Sequence, residues 1–223
     1  FAEEISSFDN NAELTFQISI DDLPENHNKV RKLKDLFNNC IESYRLLKKM
    51  GDKINPVVSI TVTHENCDNI KEIFKYLHED CGIDSIKCTL VRDEGVYKTP
   101  KDKKKKILDA YAWLTNEINE KISSKKIINY NSRSIQGRVH QKKDMISWEM
   151  VKKMYLEPKY ISPCHAGGLF GIISAKGIVH PCEILEGKEL GDLRENNMDF
   201  MKIWNSQKTK QTKIPQLWKA KKN

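Results

Sequence analysis

Val57-Val-Ser-Ile-Thr-Val-Thr63, running into His64-Glu-Asn-Cys-Asp68, carries the strongest architectural signal in the chain. It is rich in β-branched side chains, as expected of a strand in a parallel sheet covered on both sides. The polar turn after it opens a helix whose apolar residues are Ile70, Ile73, Phe74 and Leu77. Upstream, Leu14-Thr-Phe-Gln-Ile-Ser-Ile20 alternates apolar and polar residues, and Asp21-Asp22-Leu-Pro24 breaks the pattern, so a first strand ends in a polar loop. From Val30, apolar residues at Leu33, Leu36, Phe37, Cys40, Ile41, Tyr44 and Leu47 predict one amphipathic helix that stops before Gly51. Downstream, Gly82 suits a helix C-terminus and Ile86-Lys-Cys-Thr-Leu-Val91 supplies a third strand. The order βαβαβ implies right-handed crossovers and a parallel sheet, open or closed into part of a barrel.

The second half is organised differently. A long amphipathic helix after Pro100 carries Ile107, Ala110, Tyr111, Leu114, Ile118 and Ile122, and would cover the last strand. Residues 129–138 read as a polar loop and 147–155 as a short connecting helix with Trp148, Val151 and Met154. A boundary is expected near Lys142, giving domains 1–141 and 142–223. Past Ser162 two short strands, 169–174 and 178–180, are joined by Ala175-Lys-Gly177, and a helix with Phe200, Ile203 and Trp204 follows.

Composition narrows the class. Hydrophobic residues at 39% and charged residues at 31% describe a globular chain. No run reaches the roughly 18–20 apolar residues a membrane helix needs. The chain starts with Phe and shows no basic segment followed by an apolar one, so the expectation is a cytoplasmic protein without membrane partners whose start lies inside a longer chain. The net charge of +7 invites a nucleic-acid reading, but much of it sits on Lys208, Lys210, Lys213, Lys219, Lys221 and Lys222 near the end of the chain. The run Lys103 to Lys106 has no interleaved aromatics and reads as a solvated helix face, so nucleic acid is not the expected partner.

Six cysteines without a secretory signal point to free thiols and metal ligands rather than a disulfide framework. Cys40, Cys81 and Cys88 fall on apolar positions and read as structural, while Cys67 stands at a helix start. Cys164 and Cys182 flank the glycine-turned hairpin, whose folding would bring both thiols to its open end. One metal ion or cluster normally takes four protein ligands, so the pair reads as half a site. His165 and His180 offer a rival zinc set with the same cysteines, although neighbouring residues in an extended segment point to opposite faces.

Cys164, then Gly177, then Cys182 resembles the opening of the SPASM domain, the auxiliary-cluster extension of radical S-adenosylmethionine enzymes. Leu190-Gly-Asp-Leu-Arg194 and Ile203-Trp-Asn-Ser206 resemble its continuation, with Asp192 where Asn is usual. Ile18-Ser-Ile-Asp21, His27 and Arg31 resemble a segment of the same family's barrel, with Asp22 and Asn28 replacing Gly and Asp. Thr61-Val-Thr63 with Asn66, and Leu90-Val-Arg92, resemble the next strands. The resemblance implies an α/β fold, a partial parallel (β/α) barrel followed by a small α+β hairpin domain.

It also implies a function. The family cleaves S-adenosylmethionine reductively with a 4Fe-4S cluster held on a Cys-x-x-x-Cys-x-x-Cys loop, and the resulting radical abstracts substrate hydrogen. By resemblance Cys164 and Cys182 would ligate an auxiliary 4Fe-4S cluster. Strand C-terminal ends are where α/β folds place ligands, so Ser19, Asp21 and Arg92 are candidate cofactor-binding residues, Ser19 by resemblance near the ribose of S-adenosylmethionine, and the resemblance adds Arg31. Expected partners are a peptide or protein substrate and a flavodoxin or ferredoxin reductant. The six cysteines contain no such triplet. The expectation is therefore a piece cut at both ends, inactive alone, with the triplet before Phe1 and further SPASM cysteines beyond Asn223. A non-catalytic zinc or cluster binding module is the second reading and a basic RNA-binding protein the third. His27, His64, His78 and His140 are assigned no role, and Trp113, Trp148, Trp204 and Trp218 are expected to pack.

Overall fold

The computed structural model describes residues 14–51, 54–92, 98–129, 135–157, 165–183, 185 and 187–212. The chain divides into two compact units, Phe1–Pro158 and Lys159–Asn223.

In the first unit, β1 (Leu14–Ser19), β2 (Ile54–Val62) and β3 (Ile86–Leu90) form a parallel sheet in the order β1-β2-β3. Ile18 pairs with Val58 and Ser19 with Ser59, while Val58 pairs with Ile86 and Ile60 with Cys88. In-register neighbours share a face, so Ile18, Val58 and Ile86 lie on one side with Ile20 and Ile60, and the helices pack there. The core holds Phe37, Ile41 and Tyr44 from α2 (Leu36–Lys48), Ile70, Ile73 and Phe74 from α3 (Ile70–Lys75), and Ile107, Tyr111, Leu114 and Ile118 from α4 (Lys104–Ser123). Each such side chain removed from water contributes about 1.5–3 kcal/mol. β2 is buried along nearly its whole length, as its β-branched sequence requires of a central parallel strand. Pro56 is tolerated there because pairing with β3 begins only at Val58, so the missing N–H interrupts no ladder.

Three expectations are corrected. The helix predicted from Val30 is two helices, α1 (Pro24–Arg31) and α2, separated by an elbow in which Lys32 (φ 55°) and Asp35 (φ 59°) are left-handed. Val30 and Leu33 fit the apolar spacing yet are 57% and 56% exposed, because the turn rotates them off the stripe. Of the loop predicted at 129–138, residues 135–138 instead open helix α5 (Ile135–Leu156), which absorbs the expected short helix at 147–155, while residues 130–134 lie outside the described residues. Lys142 lies inside α5, and the division into compact units falls after Pro158. Val151 and Met154 are substantially exposed, while Trp148 packs against the core. α3 continues into a single π-helical turn, Tyr76–Asp80, before Gly82 (φ 72°) turns the chain toward β3.

The second unit holds a small antiparallel sheet of β4 (Ile172–Ile173), β5 (Ile178–His180) and β6 (Gly191–Asp192). Ile172 pairs with His180, Ile173 with Val179, and Val179 with Gly191. The hairpin turn needs Gly177, whose φ of 78° is disfavoured for any residue with a β-carbon. Val179, Leu190, Leu193 and Ile203 form its core, with Ile203 from α6 (Phe200–Trp204), and α7 (Gln207–Thr212) follows. Asp199 caps α6, its carboxylate accepting the Lys202 N–H at 3.0 Å. No described helix is long and apolar enough to cross a membrane.

Candidate functional site

At the C-terminal end of the parallel sheet, side chains replace the strand neighbours that have run out. β1 ends at Ser19, and the next β2 N–H on that side, Thr61, would lack an acceptor. Asp21 Oδ1 supplies it at 2.8 Å, while Asp21 Oδ2 accepts from Arg31 Nη2 of α1 at 2.5 Å. Asn66, 2% exposed, completes the edge. Its Nδ2 donates to the carbonyls of Asp21 at 2.7 Å and Thr61 at 2.8 Å, and its Oδ1 accepts the Thr63 N–H at 2.8 Å. Every one of these contacts replaces a hydrogen bond to water, which is what allows strand ends to be buried.

Asp21 and Arg31 are thus brought together and hold each other and the strand ends. Ser19 stands exposed at the end of β1, in register with Ser59, and Arg92 is exposed just beyond β3 at the same end. Thr89 donates to Thr61 across the same polar face at 3.3 Å. His27, 1% exposed, lies beneath this rim: its Nδ1 accepts the Asp21 N–H at 3.4 Å, and its Nε2 is buried with no protein partner. Burial lowers the His27 pKa from its ordinary 6.5, against the opposing pull of Asp21, with Arg31 lowering it further and Asp22 raising it. The neutral ring is the form that can accept the Asp21 N–H.

The spacing of the sequence did not reveal the bridging of Asn66 or the burial of His27. Asn129 was also missed: its amide donates to the Ile86 carbonyl at 2.7 Å and accepts the Ile86 N–H at 2.9 Å, imitating a strand at the open edge of β3. The available signal in each case was a lone polar residue beside an apolar run, which sequence alone reads as a turn.

Among the cysteines, Cys67 and Cys88 are buried, and burial raises the pKa of both, as it does for Cys40 and Cys81. Thiols held protonated in this way are poor metal ligands and poor nucleophiles. Cys182, half-buried, lies two residues beyond the end of β5. Cys164 lies outside the described residues. The segment next to it is placed: Gly167 (φ 72°) packs on Pro181, so close that an added β-carbon would lie 3.2 Å from Pro181 Cβ. The chain just after Cys164 therefore lies against the residue just before Cys182. His165 is exposed and His180 half-buried. No group of three or more His, Cys, Asp or Glu suited to a metal occurs among the described residues. Thiolate donors suit an iron-sulfur cluster, and Cys182 is the one described cysteine of the candidate pair.

The hairpin is braced from behind. Arg194 Nη1 donates to the Lys176 carbonyl in the turn, and Trp204, stacked on Phe200 at 5.3 Å, covers Gly171.

Residues 164–223 match the family model of the SPASM domain, described as an iron-sulfur cluster-binding domain. The structure resembles that of hexahistidine-tagged anSMEcpe with bound AdoMet, at 17% identity and a TM-score of 0.54, covering 95% of this chain and 52% of that one. It also resembles native anSMEcpe with bound AdoMet and Kp18Cys peptide, at 16% identity and a TM-score of 0.52, covering 95% and 55%. This chain spans about half the length of these solved relatives. No curated protein matches it. Residues 164–223 are thus similar to the SPASM iron-sulfur cluster-binding domain, and the fold of the chain is similar to that of anSMEcpe.

Proposed function

We propose that this chain is part of a radical S-adenosylmethionine oxidoreductase that abstracts hydrogen from a peptide or protein substrate. The observation that carries this reading is the occurrence, in one chain, of the SPASM cysteine hairpin and a parallel sheet whose C-terminal strand ends are kept polar by Asp21 and Asn66. The anSMEcpe structures with AdoMet and with Kp18Cys or Cp18Cys peptide support both the cofactor and the class of substrate. Here Ser19 contacts the ribose region of S-adenosylmethionine, Arg92 lines the same rim, and Asp21 with Arg31 holds the loop between β1 and α1. Cys164 and Cys182 hold an auxiliary 4Fe-4S cluster. When bound, S-adenosylmethionine would supply the hydrogen-abstracting chemistry, taking up one electron and releasing methionine. A flavodoxin or ferredoxin supplies that electron, and the reaction belongs in the cytoplasm.

These 223 residues contain no Cys-x-x-x-Cys-x-x-Cys spacing, so they do not by themselves hold the cluster that delivers the electron. Anaerobic reconstitution with iron and sulfide tests the reading. Iron and sulfide should be retained with a charge-transfer absorption near the visible edge, S-adenosylmethionine should bind, and dithionite should release no 5′-deoxyadenosine from this chain alone. Zinc retained in place of iron, with loss on substituting His165 or His180, would favour a zinc module instead.

A further inference from the structure

The elbow between α1 and α2 gathers basic and apolar side chains on one exposed segment. Lys29, Lys32 and Lys34 are all exposed, and none of the three has an ion-pair partner among the described residues. The nearby acid, Asp35, accepts from Asn38 Nδ2 at 2.6 Å, and Arg31 is held by Asp21. Between the lysines, Val30 and Leu33 remain more than half exposed. A cavity of about 360 Å³ opens here, with Leu33 and the three lysines in its wall.

The conformation is built rather than loose. The Lys32 N–H reaches the Lys29 carbonyl at 3.2 Å, the Leu33 N–H reaches the Asn28 carbonyl at 3.2 Å, and Asn28 Oδ1 accepts the Phe37 N–H at 2.8 Å. These bonds hold two non-glycine residues in left-handed backbone: Lys32, the C-cap of α1, and Asp35, which precedes α2. The position in the fold is equally specific. α1 leaves the C-terminal end of β1, and α2 runs back along the sheet, so the elbow stands at the same end as Ser19, Asp21 and Arg92.

We infer that the Lys29–Asp35 elbow is a docking surface for an acidic, leucine-bearing segment of the peptide substrate, which it holds beside the strand ends where the chemistry is placed. The inference rests on the proposed peptide substrate and adds its charge class. Charge complementarity selects the partner: three unneutralised ammonium groups attract carboxylates, and the cavity walled by exposed Leu33 receives an aliphatic side chain. A nucleic acid would use the lysines but would leave Val30 and Leu33 uncovered, since no aromatic side chain on the elbow can stack a base.

The test uses the protein and a short fluorescein-labelled peptide alternating glutamate with leucine, read by fluorescence anisotropy across a salt series. A triple variant, Lys29→Glu with Lys32→Glu and Lys34→Glu, should bind about tenfold more weakly and lose most of the salt dependence. Leu33→Ser should weaken binding without changing the salt slope, a separation that bulk charge cannot produce. A control with Lys49→Glu, Lys101→Glu and Lys105→Glu carries the same net charge and should bind as the parent does. Equal weakening by the control overturns the inference, as does tighter binding of an oligouridylate that depends on the same three lysines. S-adenosylmethionine binding by the same variants should be unchanged. Its absence from the parent protein would sink the proposed function, while the anisotropy readout would still judge the elbow.

Discussion

Asn66 Nδ2 donates to the main-chain carbonyl of Asp21 at 2.7 Å, across 45 residues of sequence, and the same amide also bonds the carbonyl of Thr61. One buried side chain thus closes the ends of two neighbouring strands and fixes the loop that carries the candidate cofactor residues. Asn66→Ala would leave two carbonyls and the Thr63 N–H without partners in a buried site. The expected cost is about 2–4 kcal/mol, read as a shift in urea midpoint at constant slope. Asn66→Asp should be no better, since a carboxylate cannot donate to those carbonyls.

Asp21 serves the same edge through its carboxylate. Asp21→Asn keeps an acceptor for the Thr61 N–H but gives up the charge opposite Arg31, a pair that is partly exposed. Stability should fall by no more than about 1 kcal/mol. S-adenosylmethionine affinity, measured by equilibrium dialysis, should fall further than stability if the loop geometry matters to the cofactor. An unchanged affinity would remove Asp21 from the site.

His27 makes the first unit sensitive to acid. Its folded pKa lies below 6.5, so between the two values the unfolded chain binds the extra proton and the folded chain does not. The stability it contributes is present above pH 6.5 and is lost as pH falls below that value toward the folded pKa. Protonation also removes the acceptor for the Asp21 N–H. Melting temperatures between pH 8 and pH 5 should fall more steeply for the parent protein than for His27→Gln, and parallel curves would contradict the assignment.

Gly171 is the tightest point of the second unit. A β-carbon there would meet Trp204 Cζ3 at 2.7 Å and the His180 carbonyl at 3.1 Å. Gly171→Ala should therefore displace Trp204 and cost roughly 1–3 kcal/mol in the second unit alone. The change should appear as a red shift of tryptophan emission, while the first unit unfolds as before.

Cys182→Ser and Cys164→Ser should each lower iron retained after anaerobic reconstitution by roughly half or more, and chelation of the metal should loosen the hairpin. Cys88→Ser provides the contrast. Its thiol is buried and held protonated, so the substitution should affect packing and leave iron content unchanged.

Much of this protein is written in short runs of residues. The β-branched run at 57–63, the alternation at 14–20 and the strand at 86–91 specified three parallel strands, because strand period and burial are local properties of side-chain type. Cys164, Gly177 and Cys182 pointed to the hairpin unit for the same reason: a turn that needs a left-handed glycine is encoded in adjacent residues. Other features exist only in the folded chain. The stripe from Val30 to Leu47 keeps helical spacing through a break, and only the hydrogen bonds of Asn28 and the left-handed Lys32 and Asp35 reveal that Val30 and Leu33 face water. The strand ends are likewise closed by Asp21, Asn66 and Asn129, polar residues whose partners lie 40 or more positions away. Periodicity records which face of an element is apolar. It does not record which distant carbonyl a side-chain amide will satisfy, because that partner comes within reach only once the chain has folded.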